Sequence, residues 1–259
     1  MPRADTYISG LFPPGASKTL VRSKILGPVE VASLSGGLRA DAADLYYSGW
    51  VSFLDALHGI NQGFYTWATV KLYYSVFYIF RASLAVDDVC SFHVDRSSFT
   101  IIARPGEVPV SCTERGTHKA VMKTFERHNA GHVLVSQRID LEDAVDWLIE
   151  KRESANYRQV RFGEPDCGKE LEYLVTNGLR RTLNAYLLET SPLYVFDPDH
   201  AMVAYPLRAL QMIGSQLIAV APTQLSVEEW QFIRSRAKDE SGNDLPALLA
   251  EMKRLLPLT

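Results

Sequence analysis

The hydrophobic positions of this chain recur mostly at helical spacing, and the exceptions are short. From Asp41 the run ADAADLYYSGWVSFLDALHGI repeats apolar residues every three or four positions, the period of one helix face. Asn61–Gly63 interrupts it as a loop. The next stretch, about 64–86 (FYTWATVKLYYSVFYIFRASLAV), is the most apolar of the chain. Lys71, Arg81 and several tyrosines inside it predict a buried core helix, not a membrane span. The period then changes. Residues 97–112, SSFTIIARPGEVPVSC, hold two strand-like runs around Arg104–Glu107. Pro105 and Gly106 suit a turn there, which predicts a β-hairpin inserted between helices. Helical spacing returns over about 117–128 and 140–162, the second with Asp140 as N-cap, and again over about 168–189 and 199–220. Ser226-Val-Glu-Glu229 is a capping box that opens a helix to about 238, and Pro246 sits in the first turn of a last helix over 244–256.

The fold class that follows is mainly α: an antiparallel helical bundle with a small inserted β-hairpin and additional C-terminal helices. Residues 1–39 carry Pro13, Pro14 and several glycines without a clear period, and read as an extended or loop-rich arm. Residues 40–165 form the helical core with its hairpin near 97–112, and 166–259 are C-terminal helices packed on it. A chain of 259 residues suffices for a full core, and 47% apolar with 22% charged residues is ordinary globular composition. A net charge of −3 argues against a general polyanion binder and leaves room for a local basic patch. No apolar segment near Met1 resembles a signal peptide, and Cys90, Cys112 and Cys167 make neither a disulfide framework nor a zinc pattern. A reducing cytoplasm is the expected compartment, with no membrane association.

Several chemical motifs fail on spacing. SGLFPPGASKT holds Gly10, Gly15, Lys18 and Thr19, but a phosphate-cradling P-loop needs Gly-Lys-Ser/Thr contiguous after a strand. No histidine pair stands on one clear helix beside an acid, and Cys90 with His93 lacks a second ligand pair, so neither metal nor cofactor is expected. No nucleophile elbow is present.

Two arginines are placed differently. At about 100° per residue, Val145, Leu148, Ile149, Ala155 and Gln159 share one side of their helix, with Arg152 near its middle. A guanidinium projecting inward needs a partner, either a structural acid such as Asp87 or Asp88 or a bound anion. Arg81 likewise continues the apolar stripe Trp67, Val70, Tyr74, Phe77, Tyr78. If the two helices pack together, both arginines line one pocket suited to a phosphate, with Asn156, Tyr157 and Arg158 as neighbouring polar groups. Two separately satisfied arginines are the alternative.

ATVKLYYSVFYIFRASLA (68–85) resembles the HEPN-domain helix with a Tyr-Tyr-x-x-Phe-x-x-x-Arg core, and THKAVMKTF (117–125) resembles the intervening histidine-containing helix. RESANY (152–157) resembles the later helix that carries Arg-x4-His or Arg-x-x-Ala-Asp-Tyr. Together these cover about 41–162. AYPLRALQMIGSQLIAVAPTQLSVEEW (204–230) is similar to YaaC-like proteins. The HEPN resemblance implies a helical bundle that commonly dimerises, and in active members a metal-independent endoribonuclease whose Arg-x4-His handles phosphate and the ribose 2′-OH. Here Tyr157 stands where that histidine would be, and a phenol is a poor base near neutrality. On an unbroken helix Arg152 and Tyr157 would also point about 140° apart.

The resemblance therefore implies a non-catalytic binding or scaffolding component of a bacterial anti-phage or toxin–antitoxin type of system. Its expected partners are another protein or a second copy, with RNA or nucleotide contact. The competing expectation is the nuclease itself. Its catalytic groups would be Arg152 and Tyr157 with a histidine such as His118, or Arg127 and His132 of RHNAGH (127–132), itself an Arg-x4-His.

Overall fold

The computed structural model describes residues 2–114, 116–158 and 160–257. Two short helices, α1 (Arg3–Ser9) and α2 (Lys18–Arg22), precede α3 (Pro28–Asn61) and α4 (Tyr65–Val86). Strands β1 (Val89–Val94), β2 (Ser97–Ile102) and β3 (Val110–Ser111) form an antiparallel sheet in that order. Then come α5 (Thr117–His128), a small hairpin of β4 (Arg138–Ile139) and β5 (Glu142–Asp143), and α6 (Ala144–Glu153), which runs into a π-helical turn at Ser154–Arg158. The chain continues through α7 (Lys169–Asn177), α8 (Leu179–Leu188), α9 (Leu193–Phe196), α10 (Ala201–Val220), α11 (Val227–Arg236) and α12 (Pro246–Leu255).

The antiparallel pair α3 and α4 is the spine, because both helices are apolar around most of their girth. Trp50, Phe53, Leu54 and Leu57 of α3 and Leu72, Val76, Ile79 and Phe80 of α4 are fully buried. Each such side chain contributes roughly 1.5–3 kcal/mol of transfer free energy. Gly49 allows close approach: a Cβ there would lie 2.9 Å from Ile79, and the Ser75 hydroxyl donates to the Gly49 carbonyl at 2.9 Å. α10 packs across both helices at a second glycine. The buried Tyr46 hydroxyl donates to the Leu210 carbonyl at 2.8 Å and occupies the space a Cβ on Gly214 would need, 1.9 Å away. α5 closes the other side of α4 through Phe80 stacked on Phe125. Among the described residues no helix is long and apolar enough to cross a membrane.

Several elements match their sequence expectation. α5 spans the predicted residues, Ser226 and Glu229 cap α11 reciprocally at 3.2 and 2.9 Å, and Pro246 opens α12. Others differ, each for a physical reason. The N-terminal arm is not loop-rich. α1 is held because the buried Asp41 carboxylate accepts from the Arg3 and Ala4 amides at 2.8 Å each, a tertiary cap that local sequence does not announce. α3 begins at Pro28, well before Asp41, with Glu30 accepting from the Gly27 amide at 2.8 Å.

The pair expected over 97–112 forms as β2 with β3, Phe99↔Ser111 and Thr100↔Val110, and β1 adds a strand that the hydrophobic pattern did not announce. β1 pairs with β2 from Val89↔Ile102 to Val94↔Ser97, across a turn at Asp95, φ 51°. Pro105 and Gly106 sit in the loop between β2 and β3, where the Gly106 amide donates to the Leu26 carbonyl at 3.1 Å and the Leu26 amide donates to the Glu107 carbonyl at 3.2 Å. Asp140 is not a helix cap. With Leu141 it forms the two-residue turn between β4 and β5, both at positive φ (48° and 70°), as such turns require. The helix expected over 168–189 is split at Gly178, φ 81°. Gln159, read as an inward position, lies outside the described residues.

Candidate functional site

α6 buries Val145, Leu148 and Ile149, and Arg152 follows on the same side as the sequence implies. Its guanidinium carbon lies 5.6 Å from the centre of the Tyr73 ring on α4 and 5.2 Å from that of Tyr157. Nη2 donates to the Tyr157 hydroxyl at 3.4 Å. An α-helix would separate these two side chains. The π turn does not, because its i→i+5 repeat returns a residue five positions on to the same side. No carboxylate pairs with Arg152 among the described residues, and its Nε is buried without a partner. Neither expected acid reaches it: Asp87 faces His128 at 3.4 Å, and Asp88 Oδ1 is itself buried and unpartnered.

His118, near the start of α5, completes the cluster. Its ring stacks on Phe77 with centroids 4.4 Å apart, and lies 5.2 Å from Tyr74 and 5.9 Å from Tyr73. Burial pushes its pKa below the ordinary histidine value, and the charges of Arg152 and then Arg81 act in the same direction. The imidazole is therefore neutral at pH 7, with Nδ1 buried and unpartnered. Burial pushes the Tyr73 phenol up, against the opposing charge of Arg152. The cluster thus offers one cation without a counter-ion, one neutral imidazole and two phenols. A guanidinium stabilises an oxyanion, a phenol donates to it, and a neutral imidazole accepts a proton.

Of the other sequence candidates, Arg81 borders this cluster, its guanidinium carbon 5.7 Å from the centre of the Phe77 ring on which His118 stacks, and the rest fall elsewhere. Arg81 pairs with Asp5 of α1 at 3.3 Å and lines a small cavity with Leu38, Asp41 and Cys90, so α1 supplies its counter-ion. Arg158 is taken by Glu150 and Glu153 at 3.0 and 3.5 Å. Asn156 lies half-buried in the π turn. Arg127 forks onto Glu114 at 2.6 and 3.3 Å. His132 accepts from the Leu134 amide through Nδ1 at 3.2 Å, capping a 3₁₀ turn, while Arg127 is bonded to Glu114 and Thr124. Two features were not legible from the motifs. One is a cavity of about 320 Å³ beside the π turn, lined by Tyr65, Thr69, Lys151, Ser154, Cys167 and Glu170 among others. The second is the exposure of Trp67, which the helical stripe had assigned to the core. Among the described residues no group of three or more histidine, cysteine, aspartate or glutamate side chains is placed to hold a metal ion.

Comparison with protein-family models, with curated proteins and with solved structures finds no match to this chain.

Proposed function

We propose that this is a HEPN-like helical protein whose Arg152 cluster binds the phosphodiester backbone of RNA without cutting it. In this reading it serves as a binding or scaffolding component of a bacterial anti-phage or toxin–antitoxin type of system, alongside a protein partner or a second copy. The observation that carries the reading is a half-buried guanidinium with no carboxylate on it among the described residues and an unpartnered Nε. A desolvated cation left unpaired is costly, and phosphate oxygens match the guanidinium fork. Tyr157 supports binding over cleavage, because a hydroxyl that donates to phosphate needs no proton exchange near neutrality.

One observation favours the second reading, a metal-independent endoribonuclease: the neutral His118 imidazole shares the aromatic cage of Arg152. In that case His118 takes the 2′-OH proton and the 2′-oxygen attacks phosphorus. The 5′-oxygen then leaves, taking a proton from solvent water, and gives a 2′,3′-cyclic phosphate and a 5′-hydroxyl. The experiment is incubation of pure protein with mixed cellular RNA in EDTA, together with RNA binding by wild type and Arg152→Met. Binding that depends on Arg152 with intact RNA supports the first reading. Cyclic-phosphate ends lost in His118→Ala establish the second. Unaltered RNA binding by Arg152→Met contradicts both.

A further inference from the structure

The cavity of about 320 Å³ beside the π turn lies between the start of α4, the end of α6 and the loop that enters α7. Its loop wall is tied in place, because Glu164 accepts from the amide and hydroxyl of Thr66 at 2.7 and 2.8 Å. α7 starts at Gly168 without a side-chain cap. A Cβ on Gly168 would lie 2.7 Å from Glu170 Oε1, so the glycine leaves the space in which the Glu170 carboxylate folds back over the helix start. That carboxylate stands 3.6 Å from the Lys151 ammonium, close enough for an ion pair and too far for a hydrogen bond.

Polar groups around the cavity lack partners. Thr69 is 5% exposed and lines the cavity, and its hydroxyl makes no hydrogen bond among the described residues. A buried polar group without a partner costs free energy, and the cavity is the space that a partner would fill. The half-buried Ser154 hydroxyl is likewise unbonded among the described residues, and Asp166 has no cation on it.

The lining charges select the kind of partner. Lys151 brings one positive charge, and Asp166 and Glu170 bring two negative ones. A bound anion would satisfy Lys151 and the hydroxyls but face both carboxylates. A simple amine would satisfy the carboxylates but oppose Lys151. A molecule with an ammonium and a carboxylate meets both halves. In an α-amino acid these two groups sit on one carbon, which matches the adjacency of Lys151 and Glu170. The volume is near the lower end of small-molecule sites, roughly 300–1,000 Å³, and suits a ligand of that size.

We infer that this cavity binds a free amino acid. Lys151, Thr69 and Ser154 take its carboxylate, and Glu170 and Asp166 take its ammonium. The site is separate from Arg152, which lies over Tyr73 about one turn further along α4, and it does not rest on the RNA reading.

The test follows Tm of the full chain with each proteinogenic L-amino acid in turn, then measures Kd by calorimetry for those that raise it. Inorganic phosphate and 1,4-diaminobutane serve as the anion-only and amine-only probes. At ten times Kd, a binder should raise Tm by about 3–6 °C. Its amide and its N-acetyl derivative each lack one charge and should bind at least about tenfold more weakly, a readout that needs no substitution in the protein. Thr69→Val keeps the shape of the buried side chain and removes its hydroxyl. Thr69→Val and Lys151→Met should each weaken binding about 10- to 150-fold, with circular dichroism checking that both fold. No rise in Tm with any amino acid overturns the proposal. A rise with phosphate or diaminobutane alone assigns the cavity to an anion or an amine, and overturns it as well. Unaltered amino-acid affinity in both variants places the ligand elsewhere and overturns the site.

Discussion

Replacing Arg152 by methionine separates a ligand-binding guanidinium from a structural one. The ring contacts at 5.6 and 5.2 Å contribute about 0.5–1 kcal/mol each. The bond to Tyr157, at 3.4 Å, is near the limit for a hydrogen bond and adds little. Against these stands the buried, unpartnered Nε, which costs about 1–3 kcal/mol. The contributions nearly cancel, and methionine refills the apolar volume of the arginine stem. Unfolding stability should therefore stay within about 1 kcal/mol of wild type, or about 2–4 °C in Tm for a chain of this size. RNA affinity should fall about tenfold or more, the loss of a charge-assisted hydrogen bond worth about 1.5–3 kcal/mol. Urea unfolding and anisotropy on the same samples give both numbers. A stability loss of about 3–5 kcal/mol with unchanged RNA affinity is what breaking a buried ion pair does, and it would refute the reasoning.

Gly214→Ala should destabilise by at least about 1–3 kcal/mol, because the Cβ meets the Tyr46 hydroxyl inside the α3–α10 contact; a neutral urea midpoint would show that Tyr46 yields freely. Asp41→Ala removes the acceptor of two amide bonds, and should cost about 1–3 kcal/mol and speed hydrogen exchange at Arg3–Ser9 without altering the exchange of α4. Stability should decline as pH falls below about 6.5, because burial holds His118 and His132 below the unfolded histidine value and the unfolded chain takes up those protons first. His118→Gln should flatten part of that decline. The comparison isolates it from Asp5 and Asp87, whose carboxyls burial pushes up and which act in the opposite sense at lower pH. A wild-type midpoint that rises on acidification through this window would contradict the assignment.

The helical architecture was legible because α3, α4, α5 and α10 carry their apolar residues at helical spacing, and α11 declares its start through Ser226 and Glu229. What escaped depends on partners distant in sequence. α1 is ordered by Asp41 and Arg81, both far along the chain, so its own residues read as loop. Asp140 has the residue type of a helix cap, but its backbone is committed to a hairpin turn. At the site, periodicity placed Arg152 inward correctly. It separated Arg152 from Tyr157 because the angle was counted on an α-helix, and a single π turn reverses that conclusion. Arg81 and Arg152 each lie in apolar stripes, yet whether they share a counter-ion was decided by Asp5 on α1. Trp67 fits a core pattern yet is half exposed, with the ring of Phe162 against it.

The most direct measurement observes the Arg152 side chain itself. Arginine Nε–Hε resonances of ¹⁵N-labelled protein, assigned through Arg152→Met and Arg81→Met, are followed while single-stranded RNA is added in EDTA. The account expects the Arg152 resonance to shift saturably with RNA, while that of Arg81, held by Asp5, stays in place. RNA binding that saturates with the Arg152 resonance unmoved would contradict it.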